Sequence, residues 1–87
     1  MNAEQIRTKL RTFIVEQMLG GDERDLTDDT DLVATGIIDS FSMVRLLGFV
    51  SKQIGVELDM RRFDPSAFQT IDAITAAIER QSRGDDG

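Results

Sequence analysis

The chain predicts an all-α protein: a four-helix bundle of three longer helices and one short one, with a long loop joining the first helix to the second. Three observations lead there. Apolar residues recur at steps of three and four in three separate segments. Capping residue types stand before those segments, and glycines close the first two. At 87 residues, the chain has room for a single core and one domain, near the size where such a core gives only a few kcal/mol of net stability.

The first helix is expected over residues 3–19. Ile6, Leu10, Phe13, Ile14, Gln17 and Met18 form one stripe, while Arg7, Lys9, Arg11 and Glu16 lie elsewhere. Asn2 is the expected N-cap, and Gly20-Gly21 the stop. Residues 20–38 are polar and turn-rich, yet Leu26, Leu32, Val33, Ile37 and Ile38 recur among them and read as anchors pinning the loop over the helices. The second helix begins after Asp39, an N-cap type whose charge suits the positive end of the helix dipole. Phe41, Val44 and Leu47, with Leu46, Val50 and Ile54 beside them, give it two apolar faces before Gly55 ends it. Asp64-Pro65 opens a short turn that Phe68 closes. Thr70 caps a last helix carrying Ile71, Ile74, Ala77 and Ile78. The core is expected over about residues 3–80, with a frayed tail at 81–87.

Composition narrows the chemistry. Without Cys there is no disulfide, thiolate metal site or thiol nucleophile, and without His the commonest general base and transition-metal ligand is missing. No catalytic residue and no metal site are expected. The net charge of −6 opposes nucleic-acid binding through phosphates. No apolar run is long enough to span a bilayer, and the start lacks a signal-peptide core, so a cytoplasmic domain is expected. Residues 20–40 hold 7 acidic side chains and 1 basic one, whereas residues 41–62 hold 4 basic and 2 acidic. Aligning Asp29 to Ser40 on an EF-hand loop puts apolar Val33 at the fifth position and leaves out the required Gly and Glu. The paired carboxylates have no pocket or His to turn them to hydrolysis.

The run Gly36-Ile37-Ile38-Asp39-Ser40-Phe41 follows the acidic loop and opens the second helix. A serine there stands among free backbone N–H groups at a partly positive helix end, suited to a phosphodiester, with no base nearby to make it a nucleophile in its own right. Standing alone, it reads as an ordinary cap. Together with the length, acidity and helix order, the run resembles the acyl and peptidyl carrier protein family over roughly residues 4–80. By that resemblance Ser40 bears a 4′-phosphopantetheine arm derived from coenzyme A, and Asp39 both caps the helix and aids recognition by the transferase. The thiol absent from the chain then arrives on the arm.

The same resemblance implies the partners: a phosphopantetheinyl transferase, an adenylating acyl or amino-acid ligase, and a downstream acyltransferase or synthase. Phe41, Met43, Arg45 and Leu47 are expected to line the docking face, with Val44, Leu46 and Val50 in the core. Carriers of fatty acid synthesis present acidic residues on this face, but here the outward positions read Ser42, Arg45, Gly48, Ser51 and Lys52. That departure points to partners neutral or acidic at the contact. The segment "FDPSAFQT" has some likeness to D-alanyl and stand-alone peptidyl carriers. With Met1 first and no long linker, a discrete, monomeric carrier is expected, serving a secondary-metabolite (polyketide or nonribosomal peptide) pathway. The rival reading is an unmodified helical interaction module, for which Ser40 would be dispensable.

Overall fold

The computed structural model describes residues 2–22, 26–59, 61 and 63–82. It contains α1 (Ala3–Met18), α2 (Ser40–Phe49) and α3 (Ile71–Ser82), and no strand among the described residues. A π turn, Val50–Ile54, continues α2, and a 3-10 turn, Pro65–Phe68, precedes α3. The short helix expected near Asp64 is thus a single tight turn. Asp64 sits at its N-cap but makes no side-chain capping bond; its carbonyl accepts from the Ala67 N–H instead (2.9 Å). The tail expected to fray from 81 is helical through Ser82, and residues 83–87 lie outside the described residues.

Each α-helix starts where a side chain can take up a free N–H. Asn2 and Gln5 cap α1 reciprocally: the Gln5 N–H donates to Asn2 Oδ1 and the Asn2 N–H to Gln5 Oε1, both at 2.9 Å. Asp39 accepts from the Ser42 N–H at 2.8 Å, and Thr70 Oγ1 accepts from the Ala73 N–H at 3.0 Å. The helical path of α2 widens at its end, where the Gly55 N–H reaches back five residues to the Val50 carbonyl (2.9 Å). Gly55 then turns the chain away at φ 84°, a left-handed backbone that costs a residue with a Cβ.

The core is one cluster drawn from all three helices and the loop. Ile6, Leu10, Ile14, Leu32, Ile38, Leu46, Val50, Ile71, Ile74 and Ile78 are almost wholly buried. Thr75 joins them, its hydroxyl satisfied by the Ile71 carbonyl at 2.8 Å. Val15, outside the stripe read from the sequence, is buried too.

Of the five expected loop anchors, Leu26, Leu32 and Ile38 are buried, Ile37 is half-buried and Val33 is 50% exposed. Val33 faces outward because Asp31 caps a tight turn, accepting from the Val33 and Ala34 N–H groups at 3.1 and 2.9 Å, and Leu32 takes its inward side. Polar ties hold the same loop. Arg11 donates to the Leu26 carbonyl (2.8 Å) and to Asp28 Oδ1 (2.9 Å). The Asp72 N–H donates to the Asp28 carbonyl, and the Leu32 N–H to that of Gln69. Asp28 and Asp31 therefore serve as tether and cap, and no metal-binding cluster occurs among the described residues.

Asp39 is ionised more readily than an ordinary Asp, below the usual 3.8, chiefly because the Ser42 N–H donates to it and secondarily through the Ser42 side chain. A lowered folded-state pKa contributes stability above the unfolded value, and that contribution disappears as pH falls through the folded one. Asp39→Asn keeps a capping side chain without the charge. The gap between its thermal midpoint and that of the parent is expected to be widest at neutral pH and to close below about pH 4; a gap independent of pH would contradict the charged cap. For the loop, Leu32→Ala should lower stability by about 2–5 kcal/mol in urea unfolding, whereas Val33→Ala should stay within about 0.5 kcal/mol. Equal losses would mean that the loop is not anchored through Leu32.

Candidate functional site

The site is the mouth of α2. Its approach is set by the Ile38 N–H, which donates to the Leu32 carbonyl (2.9 Å) and closes the end of the loop. Gly36, at φ 80°, makes the turn between them, its N–H bonded to the Val33 carbonyl. Ile38 then points into the core, 1% exposed, while Asp39 and Ser40 emerge into solvent.

Asp39 adopts an extended backbone (φ −102°, ψ −173°) and Ser40 is the first helical residue. The Met43 N–H makes the first helical bond, to the Asp39 carbonyl at 2.9 Å, and the Ser42 N–H is taken by the Asp39 carboxylate. The N–H groups of Ser40 and Phe41 belong to the first turn, where no helical acceptor exists. The Ser40 hydroxyl has no hydrogen-bond partner among the described residues, nor any general base. An exposed, unpartnered hydroxyl beside the N–H groups of a helix end can take a phosphopantetheinyl group, forming a phosphodiester, with room for a modifying enzyme. The residues therefore fit a phosphopantetheine linkage, in which Ser40 would supply the oxygen and the arm would supply a thiol for thioester chemistry.

The structure separates the four residues expected on the docking face. Phe41 is 71% exposed. Leu47 is half-buried. Arg45 is exposed and donates through Nη2 to Gln17 Oε1 of α1 at 2.8 Å. Met43 is a correction: at 8% exposure it packs into the core. Val44 is the converse correction, expected inside and found 69% exposed. The cause is helical phase. The inward stripe runs Met43, Leu46, Leu47, Val50, and Val44, one residue past Met43, turns about 100° away from it. Val44 instead shares a face with Phe41, three residues before it. Fitting the period to Leu46 and Val50 would have assigned both residues correctly. The contact between α1 and α2, a stacked pair of Phe13 and Phe49 with ring centroids 4.4 Å apart, was missed because residue type alone does not pair aromatics across helices.

Comparison with known proteins identifies the family. The family model described as "Phosphopantetheine attachment site" matches residues 12–78. The chain is similar to the "Probable acyl carrier protein PigG" of Serratia sp., 28% identical over 75 residues, covering 86% of each chain. It is also similar to the D-alanyl carrier protein of Lacticaseibacillus casei, 34% identical over 67 residues, covering 77% of this chain and 83% of that one. A solved structure described as "Crystal structure of FAD-dependent dehydrogenase" contains a chain that superimposes with a TM-score of 0.72 at 35% identity, covering 79% of this chain and 97% of that one. The helices, the turn before α2 and these likenesses agree: the chain belongs to the phosphopantetheine-attachment family of carrier proteins, and its prosthetic group is covalently attached 4′-phosphopantetheine.

Proposed function

We propose that the protein holds an acyl or amino-acyl unit as a thioester on an arm attached to Ser40 and passes it between enzymes without catalysing the chemistry itself. The observation that carries this reading is the exposed and unpartnered Ser40 hydroxyl at the capped start of α2. Asp39 orients that helix end and stands where a transferase must read it. In the four-helix carrier plan, the 3-10 turn Pro65–Phe68 occupies the place of the short helix.

The partners that follow are the transferase that installs the arm, an adenylating ligase that charges it, and a downstream acyltransferase or synthase. The likeness to D-alanyl carriers favours an amino-acyl unit. The description of the solved neighbour adds a flavin-dependent oxidation to the steps such a carrier would serve. We place the carrier in a secondary-metabolite pathway and in the cytoplasm, where coenzyme A is supplied; no helix among the described residues is long and apolar enough to cross a membrane.

The rival is an unmodified interaction module, and intact mass separates the two. Incubation with coenzyme A, Mg²⁺ and a broad-specificity phosphopantetheinyl transferase should add one phosphopantetheinyl mass to the parent and to Ser42→Ala, and none to Ser40→Ala. A parent chain that gains no mass, or a Ser40→Ala chain that does, overturns the assignment.

A further inference from the structure

We infer that the cleft between α1 and the C-terminal half of α2 is a docking groove for an acidic, apolar-tipped segment of an enzyme that works on the tethered unit. This rests on the carrier reading. It extends the docking face beyond the residues around Ser40 and gives it a polarity.

The outward face of α2 changes character along its length. Near Ser40 it is apolar, with Phe41 and Val44 exposed. One turn on, at the same helical phase, come Arg45, Gly48 and Lys52. There the face meets α1 in a cleft whose floor is the Phe13–Phe49 stack, both rings half-buried. The cleft has two adjoining sections of about 450 and 310 Å³ that share Phe13, Phe49 and Gln53.

Its charge is unlike the rest of the chain. Lys9, Arg45 and Lys52 line the two sections, against one carboxylate, Glu16. Among the described residues none of these three cations has a carboxylate within ion-pair distance, whereas Arg7, Arg11 and Arg61 are all paired. In a chain of net charge −6, three of the four described cations without an ion pair thus gather where an aromatic floor is open; the fourth, Arg80, stands over the Phe63 ring and lines a different cavity. Arg45 is already held across the mouth by Gln17; with one of its five donors used, the others remain for an incoming carboxylate.

Gly48 supplies an independent observation. Glycine weakens a helix interior, second only to proline in cost. Gly48 lies inside α2, its φ is not positive, and a Cβ there would meet nothing within 4 Å. No neighbour in the fold therefore requires glycine. Because Gly48 lines the cleft, its missing side chain keeps the floor accessible to something outside the chain. A partner with carboxylates for the cationic rim and an apolar tip for the rings matches both features.

The test uses the ¹⁵N-labelled 87-residue chain loaded at Ser40, its mass confirmed beforehand so that the carrier reading is judged separately. It is titrated with an amphipathic Glu/Leu peptide and with the Lys/Leu counterpart. The acidic peptide should shift the amides of Phe13, Gly48, Phe49 and Lys52, and the basic one should not. The double variant Arg45→Glu/Lys52→Glu should weaken acidic-peptide binding about tenfold or more and remove most of its salt dependence. Gly48→Gln should weaken it comparably while its thermal midpoint stays level or rises, which excludes unfolding as the cause. Equal response to both peptides, undiminished binding by Gly48→Gln, or shifts confined to Phe41 and Val44 would overturn the proposal. So would self-association through this face, or binding to phosphatidylglycerol vesicles without binding to the peptide.

Discussion

The architecture depends on two aliphatic side chains in a stretch that forms no regular structure. Leu32 and Ile38 are pulled into the bundle, and the backbone bond between them closes the segment that leads to α2. Every residue at the mouth of that helix takes its direction from this burial. Ile38 goes in, so the chain must turn out at Asp39, and Ser40 emerges at the first helical position. The polar ties from Arg11 and from the Asp72 N–H place the loop more than they stabilise it, since partly exposed ion pairs contribute little net free energy. From Leu26 to Ile38 a connection that would otherwise be costly in entropy is thereby pinned to the core at three buried side chains.

The helices were legible in the sequence because independent signals agreed on them: period and cap for all three, and a glycine stop for the first two. Asn2, Asp39 and Thr70 all cap as their residue types suggest. Phase within α2 was harder to read. Six of the ten residues of that helix are large and apolar and they lie on more than one side, so composition could not say which side is buried, and Met43 and Val44 exchanged places. The loop failed at Val33 for a related reason: adjacent large aliphatics in a tight turn cannot both point inward, and the choice was made by Asp31 capping the turn. The candidate hydroxyl could be located from its motif and helix order alone. The cleft against α1 could not, because it arises from the packing of two helices and from the absence of a side chain at Gly48.

The chain's reactive repertoire is almost empty, and the structure makes that deficit coherent. With neither thiol nor imidazole, the protein on the proposed reading would offer an attachment point at Ser40, a capped helix to hold it, and surfaces of differing polarity for its partners. Apolar surface lies beside the attachment point and cationic surface farther along the same helix. An enzyme reaching an arm on Ser40 would meet both in order, which would favour one orientation of approach over its reverse.

Asp39 has a further consequence. Its carboxylate is the residue immediately before the hydroxyl, and it already draws on the donors of the helix mouth. A phosphodiester on Ser40 would bring a second anion to the same few N–H groups, and the two negative charges would compete for one small reservoir of positive potential. Loading would then pull the titration of Asp39 back toward that of an ordinary aspartate, so the apo and holo forms would differ in acid tolerance without any rearrangement of the bundle.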